Sequence, residues 1–381
     1  MHIHVYTYPS KKRERRCALI AAHYTNLRTY QPTDEPKLST LKKILIIAPS
    51  WVGDTVMAQP LLMRLKQRFP ISTIDVYAPP WVAPLLRRMP EVNEVLVNPF
   101  GHGEVRLRER WHAARRLKKR GYDQALVLPN SLKSALLPFL AGIPQRTGFV
   151  GEMRYGLLND THSLDELATP LMVERFARLA EPQTQPLTRP LPSPALRVNE
   201  PQRDATLARL NLSTEIPIIA FCPGAEYGPA KRWPEEHFAA LAKTLQAQGF
   251  QIWLVGSNKD QALGDTLNRT SGNLCQNLCG KTSLDEVVDL LSCADAVVSN
   301  DSGLMHIAAA LNIPLVAIYG SSSPEFTPPL SLKARIVSLN LECSPCFKRE
   351  CPLGHLDCLR KLEPRTILEK ITRLLEKKPS A

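Results

Sequence analysis

The chain has 381 residues, of which 44% are hydrophobic, and its 48 Lys and Arg against 36 Asp and Glu give a net charge of +12. This length exceeds what one ordinary hydrophobic core serves, so we expect two domains. The longest apolar stretch, residues 307–319, is interrupted by Asn312 and Pro314, which excludes a transmembrane helix there.

The N-terminal segment, residues 1–41, carries 7 Lys or Arg and 3 acidic residues without a periodic apolar face. We interpret it as a disordered extension or as sequence upstream of the true start. Its apolar run is too short for a signal peptide, so we expect a cytoplasmic protein. The nine cysteines should then be reduced unless they bind a metal.

The basic balance favours an anionic partner, either a nucleic acid, an anionic membrane surface or a phosphorylated substrate. The simpler alternative is a solvated basic surface. Zinc-finger, RNP and helix-turn-helix signatures are absent from the sequence, so nothing favours nucleic acid in particular.

Short β-rich apolar runs alternate with helical patterns from residue 42 onward, which is typical of open parallel α/β sheets. In the first half we predict strands at 44–48, 74–77, 95–97 and 125–128, with helices from Asp54 to Phe69 and at 81–89, 104–119 and 132–140. In the second half we predict strands at 218–221, 252–255, 296–299 and 315–318, with helices at 234–248, 261–269, 284–293 and 302–311.

Prolines crowd residues 181–203, which we interpret as a linker between two domains at 42–180 and 204–340. Residues 341–381 add a cysteine-containing loop and an amphipathic helix at 364–377 that could pack back on the first domain. Two Rossmann-like domains facing across a cleft is the predicted architecture.

The stretch Asn300–Leu311 follows one predicted strand and precedes another, so it predicts a tight turn and a helix. Asp301 and Ser302 are good helix caps, Gly303 permits close approach of a ligand, and His306 lies one turn further on. Phosphate binds well at such a helix N-terminus. A plain helix cap with a core histidine explains the stretch equally well.

Two further loops carry candidate site residues. Asp54 follows the first strand, where a carboxylate could take a proton from a hydroxyl, although a capping Asp is the favoured alternative for that residue alone. The loop of residues 221–233 contains Gly224 and places Lys231 and Arg232 just before a helix, which favours an anion site over a plain surface loop. Its spacing is not that of a Walker A loop.

Four cysteines lie within sixteen residues at Cys343, Cys346, Cys351 and Cys358. Four thiolates could hold one zinc ion, while disulfides and inert thiols remain open as alternatives. The chain has no Asp-x-Asp motif of the kind that holds a metal under a nucleotide diphosphate.

Together these loops resemble glycosyltransferase family 9, the ADP-heptose–lipopolysaccharide heptosyltransferases, which have the GT-B fold. The resemblance runs from about residue 42 to the C-terminus. The stretches that carry it are 46–54, 128–134, 151–160, 221–233 and 300–311. Residues 151–160 and 221–233 are similar to the branch of the family that adds the second heptose, whereas residues 1–41 and the cysteines are not general to the family.

The resemblance implies roles for particular residues. Asp54 matches the proposed general base. The donor site is implied at Gly224, Lys231, Asp301, Ser302, Gly303 and His306, and acceptor contacts at Lys133 and Arg154.

The activity implied is inverting transfer of heptose from ADP-L-glycero-β-D-manno-heptose to heptosyl-Kdo2-lipid A, with no cofactor in the transfer step. We expect a peripheral enzyme at the cytoplasmic face of the inner membrane. The alternatives are another family-9 transferase, a nucleotide-sugar 2-epimerase on the same fold, or a non-catalytic basic protein that binds a membrane or RNA.

Overall fold

The computed structural model describes residues 41–100 and 106–376. Nearly all of the predicted extension 1–41, the first residues of the predicted helix 104–119 and the end of the helix 364–377 lie outside these ranges.

The first domain is built on a six-stranded parallel sheet. Its strands are β1 (Lys43–Ile47), β2 (Thr73–Ala78), β3 (Glu94–Val97), β4 (Gln124–Val127), β5 (Gln145–Phe149) and β6 (Asp160–His162). They lie in the order β3-β2-β1-β4-β5-β6, and every pair is parallel. Helices α1 (Val52–Met57), α2 (Gln59–Arg68), α3 (Ala83–Leu86), α4 (Leu107–Lys118), α5 (Leu132–Leu140) and α6 (Met172–Arg178) connect and cover them.

The second domain repeats this architecture. Its strands are β7 (Ile218–Cys222), β8 (Gln251–Leu254), β9 (Cys275–Asn277), β10 (Ala296–Asn300), β11 (Leu315–Ile318) and β12 (Ala334–Val337), in the order β12-β11-β10-β7-β8-β9. Its helices are α7 (Glu200–Leu210), α8 (Glu235–Ala247), α9 (Gln261–Ser271), α10 (Leu284–Leu291), α11 (Gly303–Ala310), α12 (Asp357–Arg360) and α13 (Pro364–Leu375). Short 3₁₀ turns lie at Pro229–Lys231 and Asn258–Asp260.

Both sheets therefore reverse their strand order once, between β1 and β4 in the first domain and between β7 and β10 in the second. Ligands of open α/β sheets bind at such a reversal, outside the carboxyl ends of the strands. The central strands are buried on both faces, as their continuous apolar runs predict.

Strands β5, β6, β9 and β12 were not predicted from the sequence. Three of them are short strands toward or at a sheet edge with polar residues such as Gln276 and Asp160, so they lack the continuous apolar run of a central strand. The helix predicted to run on from Asp54 is broken in two at Ala58, because Pro60 opens α2 and cannot continue α1.

The suggestion that the last helix packs on the first domain is wrong. The apolar stripe Ile367, Ile371 and Leu374 of α13 is buried in the second domain's own hydrophobic cluster, against α8 and β11. Its spacing of four and three residues places these side chains on one helix face, and that face covers the nearest sheet.

The linker region is held by specific polar contacts. Gln59 on α2 donates to the Ala195 carbonyl at 2.7 Å and accepts from the Ala195 N–H at 2.9 Å. Across the two domains, Arg88 forms a salt bridge with Asp289 on α10 at 2.5 Å, and both side chains are buried.

No helix among the described residues has the length and apolarity needed to cross a membrane.

Candidate active site

Three strand ends supply the predicted site residues. Asp54 lies in α1, shortly after β1; Gly224 and Lys231 follow β7; Asp301 follows β10 and Ser302 caps α11. These strands flank the strand-order reversal of each sheet. The structure therefore gathers residues from both domains at one cleft.

The first turns of α1 and α11 meet directly across the domains. A methyl group on Gly53 would lie 2.9 Å from Cδ2 of His306, and one on Gly303 would lie 2.7 Å from Cβ of Val52. Both distances are shorter than real Cβ contacts, so only glycine permits this approach. The approach places Asp54 beside the residues that follow β7 and β10.

Lys231 and Asp301 form an ion pair in the cleft. The Nζ atom of Lys231 lies 2.5 Å from Oδ2 of Asp301, and the Ser322 hydroxyl donates to that same oxygen at 2.5 Å. Asp301 is buried, whereas Lys231 keeps part of its surface exposed. The carboxylate thus holds the ammonium group at the mouth of the cleft. Ser322 was not predicted, because it lies 21 residues beyond Asp301 and shares no motif with it.

Asp54 has the electrostatics of a base that works near neutral pH. Burial raises its pKa from 3.8 to about 6; the Lys231 charge opposes this rise and the Asp301 charge adds to it. A pKa close to the working pH is what efficient proton transfer requires. The capping alternative is not seen, since α1 begins after Trp51 without any side-chain cap.

His306 is buried, and burial lowers its pKa to about 4. It is therefore a neutral ring above that pH. Its ring edge faces Gly53 of the other domain, so in this structure it fills the contact between α1 and α11. The predicted donor role of His306 remains a proposal.

The loop that carries Lys231 is fixed from two sides. The Lys231 ammonium lies 5.1 Å from the centre of the Tyr227 ring, and the Arg349 guanidinium lies 5.2 Å from it. Gly228 comes so close to the chain at Arg349 that an added Cβ would lie 2.5 Å from the Arg349 carbonyl oxygen.

Gly224 is packed against Asp260. A Cβ on Gly224 would lie 2.5 Å from the Asp260 carboxyl group, which in turn accepts hydrogen bonds from the N–H and the hydroxyl of Ser257. Asn300 ties the same loop to β10, because its amide donates to the Pro223 carbonyl at 2.7 Å and its oxygen accepts from the Trp233 N–H at 3.0 Å. Glycine is required here for close packing of the loop.

The two residues matched to acceptor contacts are differently placed. Lys133 is partly exposed at the start of α5. Arg154 is buried, and its guanidinium donates to the carbonyls of Pro129 and Phe149 and to the Asn130 side chain. Arg154 therefore joins the loop after β4 to the loop after β5, while its acceptor role remains a proposal.

The four clustered cysteines line one small cavity of about 20 Å³ together with Ala230 and Ser321. All four are free thiols. Among the described residues no group of three or more His, Cys, Asp or Glu side chains is placed so that it could hold a metal ion as it stands. The cavity shares its wall with the loop that carries Lys231, a proximity that the sequence alone did not reveal.

Two doubly wound domains with facing strand-order reversals, and with site residues from both across one cleft, are the architecture of the GT-B fold.

The chain belongs to glycosyltransferase family 9 (heptosyltransferase), whose sequence profile matches residues 110–357. It is 51% identical to lipopolysaccharide heptosyltransferase 2 of Escherichia coli K12 over 342 aligned residues. The aligned region covers 87% of this chain and 98% of that protein. It is 46% identical over 346 residues to lipooligosaccharide heptosyltransferase 2 of Haemophilus influenzae, covering 88% and 99%.

A solved structure gives the same result. The structure of E. coli ADP-heptose lps heptosyltransferase II superimposes with a TM-score of 0.80 at 48% identity, covering 89% of this chain and all of that one. The GT-B fold inferred from the sequence is thereby confirmed, as is membership of the family.

Proposed function

We propose that the protein transfers heptose from ADP-L-glycero-β-D-manno-heptose to the first heptose of heptosyl-Kdo2-lipid A, with inversion at the anomeric carbon. The relatives at 51% and 46% identity are named heptosyltransferase 2, and they match this chain over nearly their whole length. The observation that carries the mechanism is the meeting of Asp54 from one domain with the Lys231–Asp301 pair of the other.

The donor binds the second domain, residues 204–340. The free N–H groups at the start of α11, around Ser302 and Gly303, and the ammonium of Lys231 both favour a diphosphate. Asp301 positions Lys231, since its carboxylate is already satisfied by the ammonium and by Ser322. Gly224 keeps the loop after β7 close to its sheet, so that the diphosphate can approach the backbone.

The acceptor binds the first domain, residues 42–180, near the loops after β4 and β5. Lys133 is exposed enough to contact an anionic group of the acceptor, and Arg154 keeps the two loops together from beneath. The partners in the reaction are therefore brought together by the two domains on either side of Asp54.

Asp54 acts as the general base. Its carboxylate takes the proton of the acceptor hydroxyl while that oxygen bonds to the anomeric carbon. The bond from this carbon to the donor phosphate breaks, and its electron pair leaves with ADP. Lys231 and the α11 dipole stabilise the charge that develops on the leaving group. No metal is needed for this step, because the chain has Lys231 where an Asp-x-Asp metal site would otherwise be required.

The decisive experiment incubates the protein with ADP-heptose and purified heptosyl-Kdo2-lipid A and follows the product by mass spectrometry. A mass increase of one heptose is expected, and its absence would refute the proposal.

Replacing Asp54→Asn should lower kcat by about 10²-fold or more, in the range for loss of a general base. The matched control Asp204→Asn removes an exposed carboxylate and should leave kcat unchanged. Brief EDTA treatment that leaves any structural zinc in place should leave turnover intact, whereas strict dependence on added Mg²⁺ would contradict the role given to Lys231.

The protein must also reach an acceptor anchored in a membrane. The outer face of α4 presents exposed Arg108, Arg115, Arg116 and Lys118 beside exposed Trp111, whose ring is stacked by Arg115 at 4.7 Å. Each cation near an anionic leaflet contributes roughly 1 kcal/mol, so several suffice for reversible docking. Arg110 of the same helix is buried over the Phe100 ring and takes no part.

Vesicle binding tests this docking surface. Binding to anionic liposomes should fall steeply from low to physiological salt, where the Debye length is about 8 Å. The double charge reversal Arg115→Glu and Arg116→Glu should weaken it further. The matched reversal on the second domain, Lys243→Glu and Arg269→Glu, should not. Equal effects of the two double variants, or binding that ignores salt, would refute α4 as the docking surface.

A further inference from the structure

The four thiols come from one short stretch of chain, three from the loop after β12 and Cys358 from α12. Cys343, Cys346, Cys351 and Cys358 all line the same cavity, and its volume of about 20 Å³ is close to that of one water-sized sphere. A cavity of this size takes one ion. Since Zn–S bonds are about 2.3 Å long, an ion bound there would draw the four sulfurs inward into a closed tetrahedral shell.

The wall of the cavity has polar groups suited to thiolates. The Leu356 N–H donates to Sγ of Cys351 at 3.4 Å, so the backbone already supplies one hydrogen bond to this sulfur. The hydroxyl of Ser321 is buried in the wall, and in the part of the chain that the structure describes it has no hydrogen-bond partner. A buried hydroxyl rarely remains unsatisfied, and a metal-bound thiolate would give it an acceptor.

The chemistry of the lining selects a soft metal ion. No carboxylate lines the cavity. His355 also lines it, but the Nδ1 atom of His355 already accepts the Asp357 N–H at 3.0 Å. The remaining ligands are thiols, which favour Zn²⁺ or an iron ion over Mg²⁺ or Ca²⁺. Lys348 and Arg349 on the same loop would offset the negative charge of a tetrathiolate centre.

This cysteine loop supports the loop that carries Lys231. The Ala230 N–H donates to the Arg349 carbonyl at 3.0 Å, and the Tyr227 hydroxyl donates to the Phe347 carbonyl at 2.9 Å. The Phe347 N–H donates to the Ser321 carbonyl at 2.7 Å. Ser321 is adjacent to Ser322, whose hydroxyl donates to Asp301. The cysteine loop therefore supports both residues of the Lys231–Asp301 pair.

We infer that Cys343, Cys346, Cys351 and Cys358 bind one zinc ion, and that this ion holds the Lys231 loop in its donor-binding position. The second half of the inference rests on the proposed function, whereas the first half does not. The cysteines act as positioning residues for Lys231 and take no part in the transfer step.

The metal is tested directly on the full-length protein, purified without a histidine tag. Elemental analysis should find about one zinc per chain, and the protein loaded with cobalt should show the intense visible absorption of tetrahedral Co²⁺–thiolate. Cys346→Ser should lose the metal, and Cys293→Ser, a partly exposed cysteine outside the cluster, should retain it. Iron bound in the same amount and lost in Cys346→Ser would support the same four-thiolate site. Less than one tenth of a metal ion per chain, with four free thiols titrating in the folded protein, would overturn the inference.

The positioning role is tested by kinetics and by a binding readout that needs no turnover. In Cys346→Ser the KM for ADP-heptose and the Kd for ADP should both rise about 10-fold or more, and kcat should fall as well, because Lys231 also stabilises the leaving ADP. If this variant fails to fold, partial removal of the metal from the wild-type protein should weaken ADP binding in proportion to the metal lost. Unchanged ADP affinity in metal-free, folded protein would overturn the role. Absence of heptose transfer in all variants, with ADP affinity still tracking metal content, would instead count against the proposed function alone.

Discussion

Replacing Asp54→Asn should raise stability while it lowers turnover, and the gain in stability should depend on pH. Asn has nearly the shape of Asp but carries no charge. Burial raises the pKa of Asp54 from 3.8 to about 6, so the folded protein holds this proton more tightly than the unfolded chain does. Ionised Asp54 therefore destabilises the folded state.

The sign and size of the effect follow from the two pKa values. Below pH 3.8 both states carry the proton, and Asp54 contributes nothing. Between pH 3.8 and pH 6 the unfolded chain releases the Asp54 proton while the folded state keeps it, so the free energy of unfolding falls. Above pH 6 the folded state has also released this proton, and the loss of stability stays constant. A difference of about two pH units between the pKa values corresponds to about 3 kcal/mol, with about half of that already present at pH 5. Because Asp54 is not fully shielded from water, we expect between about 1 and 3 kcal/mol at pH 8.

The measurement is urea-induced unfolding of the wild type and of Asp54→Asn at pH 5 and pH 8, at matched ionic strength. The free energy of unfolding of the variant should exceed that of the wild type at both values, and by more at pH 8. Asp204→Asn, at an exposed carboxylate, is the control and should show no such gain. In the same pH range the kcat/KM of the wild type should fall about tenfold per pH unit below pH 6. A stability difference that is the same at both pH values, or a less stable variant at pH 8, would refute the assignment of Asp54 as a buried base with a raised pKa.

Two further substitutions test how the domains are joined. Gly53→Ala would place a methyl group 2.9 Å from the His306 ring, so it should lower the free energy of unfolding by about 1–3 kcal/mol through overpacking and raise the KM for the donor. The control Gly151→Ala adds a methyl group with nothing within 4 Å and should have neither effect. Equal behaviour of the two variants would contradict the close contact between Gly53 and His306. Arg88→Met leaves the buried Asp289 carboxylate without its partner and should lower the free energy of unfolding by about 3–5 kcal/mol in urea titrations, whereas a loss below about 1 kcal/mol would show that the pair does not join the domains.

Local patterns in the sequence determined the architecture to a large extent. Alternating apolar runs predicted the central strands and most helices to within a few residues, because strands buried on both faces must be continuously apolar. The edge strands β6, β9 and β12 and the inner strand β5 escaped prediction, because their own residues do not form the continuous apolar run of a central strand, whereas the apolar edge strand β3 was predicted. Pro60 indicates the helix break at Ala58, but the apolar periodicity on both sides of it predicted one continuous helix.

The site was determined only in part by sequence. The residue types at Asp54, Lys231 and Asp301 were compatible with proton transfer and anion binding, but helix capping explained the two carboxylates equally well or better until the resemblance to the family was added. Only the tertiary structure brings them together, because Asp54 and Lys231 are 177 positions apart in the sequence and meet through the facing strand-order reversals. It also decided the pKa of Asp54, which depends on burial between two domains, and the place of the four cysteines behind the Lys231 loop. Contacts of this kind depend on how separate elements pack, and no local pattern encodes them.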